Sequence, residues 1–412
     1  MIDRVPTQQI IAPAHHRGFW VVASAFLLNM AFSAVPTPLY AIYAARDGLT
    51  TVQITLIYAV YAAGVILSLF FGGHISDRVG RKVVFVPALL VNVLSAAVFV
   101  LWPSFAGLMV ARVISGISIG LTTATATAYL SELHLGATAD SSSRKSQVIA
   151  TAANLGGIGV GPLVAGVLAQ YAPYPLQLSY IVVGVAIAAL AIMVALSPET
   201  VVLSEPVPAY RPQRVVVPRE ARGTFFGATA AGISAFAVYG LFNSLVPSFL
   251  ANTMHETSHA VAGLVAFAAF AAGAIAQITF SRWTTRTMLI RSVGIVVLGL
   301  ALFTGGMWLP NVALFITGGV ITGAGAGLLF RAALVTAGSA AAPEARAEVL
   351  AGFFLGAYIG LSVPVIGLGI ATEYWPATDA LLAFVVLVVI AMVLSVRGLT
   401  RTPQVPAPQG VN

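Results

Sequence analysis

The chain of 412 residues contains no cysteine, which excludes disulfides, thiolate catalysis and cysteine-based metal sites together. Charge is almost as scarce: 8% of residues are charged, against roughly 25% in an ordinary soluble domain. The six histidines, His15, His16, His74, His134, His255 and His259, lie in the termini or connections and form no HExxH pair, so no metal site is expected. No ATP-binding motif and no converging Ser-His-Asp set is present, so neither an enzyme nor a self-sufficient primary pump is expected, and no cofactor is called for. The net charge of +7 is spread over the ends of apolar runs, with no soluble module to carry it, which argues against nucleic acid as a partner.

What is abundant is apolar sequence. Hydrophobic residues make up 59% of the chain, and runs of the roughly 20 residues that a helix needs to cross a bilayer recur from end to end. They are continuously apolar rather than alternating, which predicts helices and not barrel strands. Twelve spans are expected, at about 19–44, 52–72, 83–102, 105–130, 147–169, 178–197, 224–249, 260–280, 291–308, 311–335, 348–371 and 378–396. The fold class is therefore an all-α membrane protein.

The basic residues orient it. With both termini cytoplasmic, Arg46 alone lies outside and Arg112 alone deep in a span, and the others, Arg331 included, fall at the inner face. Residues 1–18 read as a cytoplasmic N-terminus retained ahead of the first span, because they hold an acid and two prolines and no extended apolar core. Residues 19–197 and 224–396 read as two six-helix bundles. The proline-rich stretch 198–223 joins them as a cytoplasmic linker, and 397–412 is a disordered cytoplasmic tail. The halves echo each other. Arg144 precedes Pro162 by the same spacing as Arg346 precedes Pro364, and RVISGISIG at 112–120 matches GVITGAGAG at 319–327 in its small residues. Two related half-bundles suit alternating access.

Between the second and third spans stands GHISDRVGRK, residues 73–82. With Gly73, Asp77, Arg78, Gly80, Arg81 and Lys82 it resembles the loop signature of the major facilitator superfamily. ARVISGISIG, with Arg112, Gly116 and Gly120, resembles that superfamily's fourth-helix motif. GGIGVGPLVAG, with Gly157, Gly161, Pro162 and Gly166, resembles the fifth-helix signature of its drug/proton antiporter branches, although Ala165 replaces the first glycine of the usual closing pair. The resemblance covers about residues 18–397. It implies two pseudo-symmetric six-helix bundles, a functional monomer, and a latch in which Asp77 caps the inner end of the eleventh helix and Arg81 pairs with Glu132. Those contacts would hold the outward-facing state and break on inward opening. Plain positive-inside anchoring accounts for Arg78 and Lys82 but not for Asp77.

Arg112 is the candidate for function inside the bilayer, where a buried cation needs a cavity or a partner. Three readings stand open: it binds an anionic group, it responds to a proton elsewhere, or it hydrogen-bonds backbone carbonyls near the first helix and holds its half together. Gly161 and Pro162 bend or closely pack the fifth helix, and Gly360 and Pro364 do the equivalent in the eleventh. Asn29 and Ser33 share one face of the first helix, and Tyr239 and Asn243 form a matching set in the seventh; both are candidate cavity linings.

One absence cuts against the antiporter branches. All thirteen Asp and Glu residues fall in connections or near helix ends, so the membrane-embedded carboxylate that many drug/proton exporters use has no counterpart, and no histidine replaces it. The expected function is a secondary transporter of the cytoplasmic membrane of a bacterium that exports a small organic or drug-like solute by proton antiport. An apolar or weakly anionic solute fits better than a cation, and Glu132 or Asp47 near a cavity mouth remains open as the proton carrier. Uptake of a sugar or organic acid by symport or facilitated diffusion is the alternative. Besides the solute, protons and the lipid bilayer are the expected partners.

Overall fold

A computed structural model describes residues 13–72, 75–137, 144–201, 217, 219–340 and 346–401. Twelve helices in it are long and apolar enough to cross a membrane: α1 Pro13–Asp47, α2 Thr51–Gly72, α3 Arg81–Leu101, α4 Phe105–Ala137, α5 Arg144–Tyr171, α6 Pro175–Ala195, α7 Arg222–Ser244, α8 His259–Thr279, α9 Thr285–Trp308, α10 Val312–Ser339, α11 Arg346–Tyr374 and α12 Ala377–Arg401. No strand occurs among the described residues. The end carrying the α2–α3 connection is called inner and the opposite end outer, after the charge bias of the sequence.

Several helices outrun their apolar cores. The first begins at Pro13, six residues before the expected start, and α4 continues to Ala137 through Ser131, Glu132 and His134. Hydropathy marks where a helix must be apolar, whereas the backbone stays helical until a breaker or a cap ends it. The caps are explicit at the outer starts: the side chains of Ser258 and Asn311 accept the backbone N–H of Val261 and Leu314 at the first turns of α8 and α10. Because α10 runs to Ser339, Arg331 stands two turns inside the helix, about 12 Å from its end.

Two helices are broken by proline. The helix of α1 is interrupted at Val35 and restarts at Pro36, and α7 ends at Ser244 and restarts as Val246–Asn252 with Pro247 in its first turn. The two outer pieces, 36–47 and 246–252, pack on each other across the halves. Along the flanks α2 packs on α11 and α5 on α8, whereas α4 forms no packed pair with α10 or α11 among the described residues. The molecule is thus closed at its outer end.

The internal repeat is visible in the packing. An added Cβ at Gly116 would stand 2.2 Å from the carbonyl oxygen of Tyr61, and one at Gly323 would stand 2.1 Å from that of Ala269, so α4 meets α2 as α10 meets α8. Where Arg112 stands in the first half, the second has Gly319, and the ring of Phe242, 3.1 Å from a Cβ added there, takes up the space.

Candidate functional site

Charge gathers at the inner end of the first half. Arg81, 7% exposed, donates from Nη2 and Nε to the Glu132 carboxylate at 2.8 and 3.1 Å, and from Nη1 to Asp77 and to Ser76 Oγ. Thr200 completes Glu132 through its hydroxyl at 2.5 Å. Among the described residues Asp77 is partnered by Arg81 rather than by α11. The absent α11 contact fits a molecule closed at its outer end, but the Arg81–Glu132 pair is intact in that same molecule, which corrects the expectation that both contacts break together on inward opening.

Glu199 supports the same corner. Its carboxylate accepts the backbone N–H of Arg81 and of Lys82, each at 2.9 Å, at the start of α3, where unpaired donors and the positive end of the helix dipole await an anion. Gly80 makes this possible: its φ of 110° suits glycine, and a Cβ there would lie 2.7 Å from Glu199 Oε2. Burial pushes the Glu199 carboxyl up, but the N–H groups of Arg81, Val201, Lys82 and Thr200 more than offset it and hold it below its ordinary value. Lys82 Nζ reaches the Ser197 carbonyl at 3.1 Å, and the backbone N–H of Arg78 donates to Ile75. Gly73 lies outside the described residues.

Arg112 is 1% exposed. Its Nη1 donates to the Ser33 carbonyl at 2.6 Å and its Nη2 to that of Tyr58 at 3.4 Å, and its guanidinium lies over the rings of Tyr61 and Tyr58 at 4.4 and 5.6 Å. The Ser33 carbonyl lies two residues before the break at Val35, and a carbonyl oxygen has a second lone pair with which to accept. The guanidinium therefore ties α1, α2 and α4 together. This is the backbone-bonding arrangement among its three readings, and no carboxylate pairs with it among the described residues.

The four candidate lining residues take packing positions in this conformation. Asn29 is fully buried, donating to Ser118 and Thr122 and accepting from Asn92, so its amide joins α1, α3 and α4. Ser33 Oγ returns to the Met30 carbonyl. Tyr239 donates to the Gly323 carbonyl at 3.0 Å and stacks on Phe270. Asn243 accepts the Thr37 hydroxyl across the halves, at 2.9 Å on its carbonyl and 3.4 Å on Oδ1.

The fifth-helix glycines and proline sit where backbones touch. A Cβ on Gly157 or Gly161 would come within 2.5 or 2.0 Å of a carbonyl oxygen of α1, at Leu27 and Ala31 respectively. Gly166 faces Gly263 of α8, which itself lies against the Pro162 carbonyl, so α5 is pressed on both halves at once. In the second half Gly360 meets the backbone of Ile233 on α7 in the same manner, and Pro364 lies within the unbroken α11.

These features accompany a direct match: the family model described as Major Facilitator Superfamily covers residues 22–257, more than half of the chain. The chain belongs to the major facilitator superfamily. Solved structures of the same fold include a bacterial homologue of the human lysosomal transporter Spinster in an inward-facing, unoccupied conformation, at TM-score 0.75 and 16% identity, covering 96% of this chain and 99% of that one. They also include the nucleoside transporter NupG, at TM-score 0.69 and 11% identity over 93% and 99% of the two chains. The human organic anion transporter MFSD10 (TETRAN) matches at TM-score 0.68 and 17% identity over 94% and 100%. A search of the curated proteins gives no match. As a member of the superfamily the chain is a multi-pass membrane protein that transports small solutes and is not an enzyme.

Within this superfamily fold the sequence reading missed several features. Asn92 and Glu199 complete networks whose other members it found; the signal for Glu199 was an acid directly after Pro198 at the end of α6. Arg331 is half-buried inside α10, its Nη1 donating to the Gln277 carbonyl on α8. Rings of Tyr61, Tyr358, Phe236 and Phe330 follow one another at centroid distances of 6.4, 5.5 and 5.0 Å. The fifth helix also contains a π-helical turn at Ala152–Gly156, whose Leu155 lies against α8 at Gly273.

Proposed function

We propose that this superfamily member exports a small organic solute, apolar or anionic, by alternating access coupled to proton antiport, with both termini in the cytoplasm of a bacterial cell and the monomer as the working unit. The observation that carries the reading is the asymmetric closure: outer pieces of α1 and α7 meet at paired proline breaks and are joined by the Thr37–Asn243 hydrogen bonds, while α4 stays unpacked from α10 and α11. A hinge of this kind needs only small rotations of two rigid halves to move the opening. The charge inside the spans favours an anion over a cation, since Arg112 and Arg331 lie within helices and neither pairs with a carboxylate among the described residues. One relative in fold is an organic anion transporter, which agrees with that sign.

Export is supported by the resemblance of Gly157, Gly161, Pro162 and Gly166 to the antiporter signature. Glu132, paired with Arg81 at the inner end, or Asp47, paired with Arg46 at the outer end, is the proton carrier in this reading. The confinement of carboxylates to connections and helix ends favours the second reading, uptake or facilitated diffusion without obligatory proton movement. Internal pH recorded in proteoliposomes under an imposed proton gradient separates them. Proton release that depends on added solute is expected for antiport, and solute flux with no change in pH would contradict it.

A further inference from the structure

We propose that Arg331 and the rings of Phe330, Phe236 and Tyr358 form a binding site for an aromatic carboxylate, its anionic group on the guanidinium and its flat body along the rings. The inference rests on the transporter reading above and names the solute class for it.

Three observations converge. First, Arg331 is an incompletely used cation two turns inside α10. A guanidinium offers five N–H donors; one bonds the Gln277 carbonyl, and no Asp or Glu pairs with Arg331 among the described residues. Fastening α10 to α8 does not require it, because the two backbones already touch at Gly323 with Ala269 and at Gly327 with Gly273. Arg112 is the contrasting case, fully buried and bonded to two carbonyls, whereas Arg331 is half-buried, bonds one carbonyl and so keeps donors to offer a solute.

Second, the ring row begins at the neighbouring residue. Phe330 packs on Phe236 at 5.0 Å, Phe236 on Tyr358 at 5.5 Å, and Tyr358 on Tyr61 at 6.4 Å. Phe236, Phe330 and Tyr358 are only partly buried, unlike Phe353 behind them, which is 0% exposed. Each therefore retains some accessible surface, and aromatic rings of this kind stack on flat partners.

Third, the row lies on the seam between the halves. Tyr61 belongs to α2 of the first half, and Gln277 is one turn beyond Gly273, which Leu155 of α5 touches. A ligand placed here would contact both halves, as a solute that drives their rocking must. A bidentate carboxylate on a partly desolvated guanidinium supplies direction and sign, and the rings supply apolar area.

The test uses the full-length protein in detergent with three matched probes, 2-naphthoate, neutral 2-naphthylmethanol and cationic 2-naphthylmethylamine, titrated by calorimetry. The wild type is expected to bind naphthoate at least about tenfold more tightly than naphthylmethanol, as a charge-assisted hydrogen bond implies, and the cation most weakly. Arg331→Gln is expected to abolish that preference and Arg331→Lys to keep most of it, while Phe330→Ala weakens naphthoate and naphthylmethanol alike. A ratio between two probes does not depend on the fraction of folded protein. No preference in the wild type, or an unchanged preference in Arg331→Gln, would overturn the proposal. Naphthoate that binds with this pattern but never crosses proteoliposomes would leave the site standing and sink the transport reading; flux of another solute without any anion preference would do the reverse.

Discussion

Thr37 and Asn243 stand at the broken turns of two equivalent helices and join them, the Thr37 hydroxyl donating at 2.9 Å to the carbonyl that Asn243 exposes there. Each proline break interrupts a spanning helix towards its outer end, and backbone groups freed there persist in a bilayer only where protein satisfies them. The closed outer end therefore contains a bond that must break for the end to open.

Replacing Thr37 by Val keeps the shape and removes the donor. A net hydrogen bond contributes about 1 kcal/mol, so the ratio of closed to open molecules should fall about fivefold. Since the chain has no cysteine, Ala34→Cys, at a position buried beside the break, gives a direct readout. Its rate of labelling by an impermeant thiol reagent from the outer side should rise several-fold in the Thr37→Val background, and an unchanged rate would argue against the bond as a gate.

Arg112 should behave as a tie rather than as a simple charge. Lysine retains the charge but cannot reach the carbonyls of Ser33 and Tyr58 together while lying over the Tyr61 ring. Arg112→Lys and Arg112→Ala are therefore both expected to lower the thermal midpoint in detergent, by about 2 kcal/mol or more of stability. A midpoint preserved in Arg112→Lys would mean that charge alone matters.

The helix contacts at glycine make opposite predictions at two positions. Gly161→Ala places a methyl 2.0 Å from the Ala31 carbonyl oxygen, and overpacking of this kind costs about 1–3 kcal/mol. Gly367→Ala meets nothing within 4 Å and should be neutral or slightly stabilising. Melting curves of the two variants side by side test this.

Much of this was legible before any coordinates. Twelve apolar runs fixed the span count because a bilayer demands length and uniform polarity from every crossing, and the halves' small-residue repeats marked the helix pairs that touch. What composition could not reveal is direction around a helix. Asn29 looked like a lining residue, yet its amide is buried against Ser118, Thr122 and Asn92, because an isolated polar residue in a span is satisfied as readily by a neighbouring helix as by a cavity. The ring row joins residues from α2, α7, α10 and α11, and no local pattern records such a meeting.

The Glu199 cap carries a pH dependence. A carboxylate whose pKa is lower in the folded protein contributes stability that is fully present above its unfolded value of roughly 4.3 and is lost as pH falls through the folded value. The wild type should therefore destabilise more steeply below about pH 4.3 than Glu199→Gln does, with the two converging in strong acid. Parallel profiles would show that the four N–H contacts hold the loop without favouring the anion.

The central claim is that two halves rock about a seam and open one end at a time. Paired spin labels at Thr50→Cys with Thr257→Cys on the outer end, and at Val79→Cys with Ser339→Cys on the inner end, measure both openings in one protein by double electron–electron resonance. The account predicts opposite changes, the outer distance lengthening as the inner one shortens when pH or solute is varied. Two distances that stay fixed, or that lengthen and shorten together, would contradict it.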